Sequence, residues 1–297
     1  MHTTAAERTD DAVARSLLHP LFPTEELAAG EPRSTRLLGE PVTARAVNGP
    51  GAGAGPNRFE ARAADGTELA LEVRFGYLWA SFDPAPRPLF EIPEWAEPDR
   101  RGVHAATVAV RTSAPRAVEN FLDMGHFPFV HTDILGAEPH TEVREYDVSL
   151  DEGAGEILAT NCTFQQPRAA VGSTEAMLVD YVYRVPHPYC ALLYKSCPSD
   201  LSRQDVIGLF VQPTSEVTVR AHAWLCVHDP DSTDTALKMF QQTIFGQDKP
   251  ILENQQPARL PLDPRAETPI RADRMAVVYR RWLRAIGLRY GTLPAPA

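Results

Sequence analysis

No stretch of this 297-residue chain approaches the ~18 consecutive apolar residues that a membrane-spanning helix requires. A helical membrane protein is excluded. The opening residues MHTTAAERTDDAVARS carry charge where a signal peptide keeps its apolar segment, so a cytoplasmic protein is expected. Basic residues are in deficit: 29 Lys and Arg stand against 39 Asp and Glu, a net charge of -10 spread along the chain without an acidic tail. An electrostatic grip on nucleic acid or an anionic membrane is not expected. Cysteine is scarce. Cys162, Cys190, Cys197 and Cys226 contain no C-x-x-C pair, which points to reduced structural thiols, Cys190 and Cys197 included. A dinucleotide fingerprint is missing too, because NGPGAGAGPN at 48–57 has prolines on both sides and no helical pattern after it to hold a phosphate. What remains is an ordinary globular composition, 43% apolar and 8% aromatic, whose 27 prolines lie scattered among apolar segments and mark turns.

Short apolar runs broken by Pro and Gly over 18–48 suit small strands and turns. The odd positions from Leu69 to Trp79 are apolar, with Glu72 and Arg74 between them, which reads as one strand of period two. Residues 83–98 form a proline-rich connector. Ser113 or Thr112 caps a helix with Pro115 in its first turn and Ala117, Val118, Phe121 and Leu122 on its apolar face. Strand-like segments then recur near 142–150, 155–163, 177–185, 189–195, 204–212 and 216–228, and helical patterns return only near 233–256 and 273–286. Helices that flank a run of strands, without alternating with them, define an α+β protein with an antiparallel sheet.

The chemistry concentrates after the first helix. Asn120, Asp123 and His126 follow at steps of three, each drifting only about 60° around a helix, so all three face one way. His131 lies five residues beyond His126, about 140° around a continuous helix and too far to share a ligand. Pro128 is expected to break the helix between them and let the imidazoles converge. Two neutral imidazoles plus one carboxylate make the set that suits a non-haem Fe(II), with the carboxylate drawn from elsewhere in the chain. An arbitrary histidine pair at this spacing would be ordinary polar residues at a helix end. His222, Trp224, Cys226 and His228 share one face of a strand, lining a cavity or facing solvent, with the two histidines roughly 20 Å apart and so not co-ligands.

The pattern Asn120-x-x-Asp123-x-x-His126-x-x-x-x-His131 resembles the mononuclear-iron motif of the catalytic subunits of Rieske non-haem iron oxygenases, matching at every fixed position. IFGQDKPILENQQ at 244–256 is similar to the family segment that supplies the third ligand, which by that match is Asp248. As an alternative Asp248 is a helix cap two residues before Pro250, and Glu253, Asp263 and Asp273 are weaker candidates for the ligand. The C-terminal segment 260–287 resembles the branch related to pheophorbide and chlorophyllide oxygenases, and RFGYLWASFDP at 74–84 resembles the strand that closes a Rieske domain.

The resemblance implies a START-like helix-grip (SRPBCC) catalytic domain over 106–297, with long C-terminal helices, after a truncated Rieske-like β domain over 18–105 and a flexible N-terminus over 1–17. It implies Fe(II) on His126, His131 and Asp248, with Asn120 shaping the site and Asp123 relaying electrons to, or orienting, His126. Phe127, Phe129, Ile134, Leu135 and Phe245 neighbour the ligands and are expected around an apolar, aromatic substrate. Family members bind a [2Fe–2S] cluster through C-x-H and C-x-x-H pairs. No cysteine precedes Cys162 here, so no cluster is expected in this chain. Electrons would then come from NAD(P)H through a reductase and a separate Rieske protein or homologous subunit, in a trimer or hetero-oligomer, and O2 would be used to hydroxylate or O- or N-dealkylate the substrate. Two other readings stand beside this: a non-catalytic scaffold subunit, and an iron oxidase or redox-neutral iron enzyme that needs no Rieske centre.

Overall fold

A computed structural model describes residues 8–27, 31–48, 58–168, 171 and 175–295. Most of the glycine-rich loop at 48–57 lies outside these residues, as does 1–7.

The chain opens with a short helix, α1 (Ala12–Ser16), inside the segment expected to be flexible. Asp11 explains it. Its Oδ1 accepts from the N–H groups of Val13 and Ala14, and its Oδ2 accepts from those of Arg289 and Tyr290 near the other end of the chain. Six strands follow: β1 (His19–Pro23), β2 (Arg33–Leu37), β3 (Glu40–Val47), β4 (Arg58–Ala63), β5 (Ala70–Arg74) and β6 (Tyr77–Ser81). They form two three-stranded sheets, ordered β2-β3-β4 and β1-β6-β5. The segment 69–79, read as one strand, is a hairpin. Phe75 and Gly76 both have positive φ, 54° and 77°, as a tight primed turn between antiparallel strands requires, so Arg74 pairs with Tyr77.

The larger sheet begins with a strand that the sequence pattern had not signalled, β7 (Arg101–Val110). It continues through β8 (Asp147–Asp151), β9 (Glu156–Gln166), β10 (Met177–His187), β11 (Cys190–Cys197), β12 (Asp200–Ser215) and β13 (Thr218–Val227). Its seven strands run in the order β7-β13-β12-β11-β10-β9-β8, every pairing antiparallel. Between β7 and β8 the chain forms α2 (Ala114–Leu122) and the single turn α3 (Phe127–Val130); after β13 come α4 (Asp234–Asn254) and α5 (Arg274–Ala285). The fold is therefore α+β, an antiparallel sheet with few helices, as the sequence pattern implies. No helix among the described residues is long and apolar enough to cross a membrane.

The two faces of the large sheet do different work. On the outer face Cys190, Leu192, Tyr194, Val206, Phe210, Trp224 and Cys226 bury against Leu18, Phe75, Tyr77, Trp79, Leu89 and Ile92 of the N-terminal strands and connector. On the inner face the alternate positions of the same strands meet α2, α3 and α4. All four cysteines are buried free thiols. His222, Trp224 and Cys226 are thus buried away from solvent, on the face opposite the cavity beside the histidines. They anchor the N-terminal strands, and Ala223, Leu225 and Val227 carry the cavity face.

Candidate metal centre and its cavity

Three elements bring the candidate ligands together. Ser113 caps α2 by accepting from the Arg116 N–H, and α2 ends at Leu122 with Asp123 as its C-terminal cap. The helix thus breaks before His126, earlier than Pro128 led us to expect, and Asn120, Asp123 and His126 do not share one continuous helix. Pro128 instead sits in the first turn of α3, where its missing N–H costs nothing. His126 and His131 flank that single turn, and the non-helical backbone of His131 (φ -112°, ψ 40°) lets the two rings converge. The chain after α3 closes tightly over it: a Cβ on Gly136 would lie 2.7 Å from the Pro128 nitrogen, which only glycine avoids.

Asp248 comes from the middle of α4 and caps nothing. That helix lies along the edge strand β7, where Gln242 Nε2 donates to Ala105 O (2.8 Å) and Lys249 Nζ to Ala109 O (2.9 Å). The Nε2 atoms of His126 and His131 are 3.1 Å apart, and Asp248 Oδ1 lies 3.4 Å from the first and 3.1 Å from the second. His131 is 1% exposed and the other two side chains 13%. Glu253, a weaker candidate, pairs with Lys249 and accepts from the Arg111 N–H; Asp263 is bound to Arg265; Asp273 accepts from the Ile270 N–H.

The opposite ring edges decide the protonation. His126 Nδ1 donates to Asp123 Oδ2 (3.0 Å), and Asp123 Oδ1 is held by the Gly125 N–H (2.7 Å). His131 Nδ1 donates to Gln247 Oε1 (2.9 Å), a partner that sequence reasoning missed. Asp123 and Gln247 accept, so each neutral ring keeps its proton on Nδ1 and points a lone pair inward from Nε2. Two lone pairs and a buried carboxylate oxygen with no hydrogen-bond partner among the described residues then converge on one point. Such a set repels itself unless a cation lies between, and two imidazoles with one carboxylate form a donor set suited to Fe(II). Without a metal ion, a proton on His126 takes the place of that cation. Burial pulls the His126 imidazole down, but the Asp123 and Asp248 carboxylates outweigh it and raise it from 6.5 to about 9. Burial likewise pushes Asp248 up, and the two histidines outweigh it and hold it below the usual carboxylate range.

A cavity opens beside this cluster. Its floor is the inner face of β9 to β13, and Ala117, Asn120 and Phe121 of α2 and Phe240, Ile244 and Phe245 of α4 close it. Of the side chains expected around a substrate, Phe127, Leu135 and Phe245 line it. Phe129 and Ile134 do not. Phe129 is 65% exposed, because two residues along a helical turn rotate a side chain about 200° away from Phe127. Lys195, lowered by burial to about 8, and Asp205, raised by burial, also line the cavity. Asn120 and His126 also border a second hollow on the far side, which Asp123, Glu267 and Asp273 make acidic.

Residues 110–289 match the family described as vanillate O-demethylase oxygenase C-terminal domain. A probable methylxanthine N7-demethylase, NdmC, of Pseudomonas sp. (strain TJI-51) is 48% identical over 275 residues, 92% of this chain and 95% of that protein. Methylxanthine N1-demethylase NdmA of Pseudomonas putida is 26% identical over 223 residues, 72% of this chain but only 59% of that protein. The fold is similar to the solved structure of Pseudomonas putida CBB5 NdmA with caffeine. The TM-score is 0.71 at 18% identity, with 91% of this chain and 90% of that one covered.

Proposed function

The chain belongs to the Rieske oxygenase family, in the group of the vanillate and methylxanthine demethylases, and from that premise we propose that it is the terminal oxygenase component of a methylxanthine N-demethylase. It is an oxygenase by family; the iron, the substrate and the electron donor are what the proposal adds. Its principal support is the convergence of the His126 and His131 lone pairs on the orphaned Asp248 oxygen, each ring locked from behind by an acceptor. Relatedness at 48% identity to a probable methylxanthine N7-demethylase makes an N7-methyl group the first position to test.

In this reading His126, His131 and Asp248 would hold Fe(II) beside the cavity that all three also line. When bound, the iron would supply reductive activation of O2, so that an N-methyl group, O2, two electrons and two protons give the N–H product, formaldehyde and water. Asp123 and Gln247 keep both rings in the ligating tautomer. The apolar walls exclude bulk water, and Asn120 borders the site between cavity and outer hollow. Asp123, its side chain 34% exposed in that acidic hollow, is where we place electron entry. No cysteine precedes Cys162, so the [2Fe–2S] centre belongs to a separate Rieske protein or homologous subunit, docked there in a trimer or hetero-oligomer and fed by a reductase from cytoplasmic NAD(P)H. Residues 18–105 are then a Rieske-like β domain kept without its cluster, and 106–297 the catalytic domain.

Metal and acid-labile sulfide analysis after anaerobic reconstitution with Fe(II) tests the proposal. About one iron per chain, no sulfide, and loss of the iron in His126→Ala are expected. Formaldehyde should form from 7-methylxanthine only when a Rieske protein and reductase are added. A wild-type chain that takes up no iron would sink the proposal and leave a scaffold subunit.

A further inference from the structure

Buried polar groups in folded proteins nearly always find a hydrogen-bond partner, so a cluster of exceptions calls for a reason. Nine buried side-chain atoms among the described residues have none. Four of the nine belong to side chains that line the one cavity beside the histidines. Asp248 Oδ1 is one, already explained by the proposed metal. The other three are Gln166 Oε1, Tyr181 Oη and Tyr183 Oη, whose residues are only 1%, 2% and 1% exposed.

These three come from adjoining strands. Tyr181 and Tyr183 are alternate residues of β10 and so share its inner face. Gln166 ends β9, whose Cys162 pairs with Tyr181 and whose own partner is Met177, on the same face. An unbroken line of rings ties them to the centre. Phe127 lies 6.1 Å from the His131 ring and 6.4 Å from Tyr181; Tyr181 is 6.1 Å from Tyr183, and Tyr183 is 6.3 Å from Phe121. The cavity is thus aromatic along one wall, and the residues that carry these three unpaired atoms belong to that same wall.

We propose that Gln166, Tyr181 and Tyr183 are the substrate-reading groups of this cavity, and that they take a flat nitrogen heterocycle bearing ring carbonyls. The two phenols offer O–H donors to carbonyl oxygens, and the Gln166 carboxamide pairs with a ring amide, its Oε1 accepting an N–H. Edge hydrogen bonds together with face contacts from Phe127 and Phe121 fix the orientation of the ring, and hence which N-alkyl group is turned toward His126 and Asp248. Burial raises both phenols well above their ordinary value, so they remain donors throughout the working range. The inference rests on the N-demethylase reading for what happens to the bound ring, but the recognition is independent of the reaction.

The test is equilibrium binding to the anaerobic Fe(II)-loaded protein by calorimetry, with three probes: caffeine and 1,3-dimethyluracil, which carry ring carbonyls, and 1-methylbenzimidazole, which carries none. Each of Tyr181→Phe and Tyr183→Phe should weaken both carbonyl probes about 5- to 30-fold, the worth of one hydrogen bond to a buried group, and leave 1-methylbenzimidazole unchanged. The melting temperature of the unliganded variants should hold or rise, because the deleted hydroxyls bond to nothing among the described residues. Unchanged affinity for the carbonyl probes, equal weakening of all three, no binding of either carbonyl probe by the wild type, or a fall in melting temperature would each overturn the inference. Tyrosine-dependent binding of 1,3-dimethyluracil without any demethylation of a xanthine by the reconstituted system would keep it and overturn the proposed substrate. Demethylation of a xanthine with tyrosine-independent affinity would do the reverse.

Discussion

Gln247→Leu isolates the least conspicuous part of the centre. The Gln247 Oε1 accepts the His131 Nδ1 proton at 2.9 Å, and His131 is 1% exposed, so no solvent can take over that bond. Without the acceptor, the metal-free ring is free to move its proton to Nε2, 3.1 Å from Asp248 Oδ1, and settle there as a donor to the carboxylate. Metal binding must then displace that proton and restore a buried, unpaired Nδ1–H. Leaving a buried donor unsatisfied costs about 1–3 kcal/mol, and tenfold in affinity corresponds to about 1.4 kcal/mol. The variant should therefore bind Fe(II) about 10- to 100-fold more weakly, in line with the usual effect of removing a group behind a metal-bound histidine. Gln247→Glu keeps an acceptor at the same place and should hold wild-type affinity or exceed it. Anaerobic competition against a chromophoric chelator reads both constants. A Gln247→Leu protein with unchanged melting temperature and a dissociation constant within about twofold of wild type would refute the tautomer argument.

Other perturbations follow from the same structure. Arg116 and Arg280 enclose Glu119 and Glu267 in a buried network that joins α2 to α5, with Arg280 Nε 2.5 Å from Glu119 Oε1 and Arg116 Nη2 2.5 Å from Glu267 Oε1. Arg280→Met leaves Glu119 buried and half-paired and should cost about 3–5 kcal/mol in urea unfolding; a loss below about 1 kcal/mol would show the network to be ornamental. The pH dependence of stability has a definite sign. Burial lowers His19 from 6.5 to about 4 and His187 to about 3. As pH falls below 6.5 the unfolded chain takes up protons that the folded chain refuses. Stability should thus decline between pH 6.5 and 4 by up to about 1.4 kcal/mol per pH unit for each histidine. Urea midpoints that stay level from pH 7 to pH 5 would contradict it.

The large sheet and its flanking helices were legible because period-two runs between turn residues persist over 142–228, and the spans near 233–256 and 273–286 fall within two residues of α4 and α5. The hairpin at Phe75–Gly76 was not, because its turn keeps the odd-position apolar rhythm running through it. The position of the helix break was misjudged for a related reason. Pro128 is compatible both with ending one helix and with starting another, and only the extended backbone of Asp123 selects the second. The spacing of His126, His131 and Asp248 was visible as a motif, whereas Gln247 and the tyrosine pair carried no signal. A glutamine beside an aspartate is common helix surface, and Tyr-Val-Tyr in a strand reads as core. Their meaning lies in which atoms remain unpaired after folding, a property of three-dimensional accounting that no spacing rule encodes.

The same accounting shows what the N-terminal strands do for the cavity. β13 presents Ala223, Leu225 and Val227 to the cavity and His222, Trp224 and Cys226 to the outer face. The outer face is completed by Tyr77 and Trp79, both fully buried, and stitched by Gln212 Nε2 donating to Thr35 Oγ1 and Arg36 O at 2.8 Å each and Arg220 Nη1 to Leu21 O at 3.0 Å. Removing those strands would strip Trp224 and Phe210 of their cover and leave buried Gln212 and His222 facing water. The floor of the cavity is the reverse side of the same strands, so its shape depends on that cover. The N-terminal strands thus support the cavity from behind.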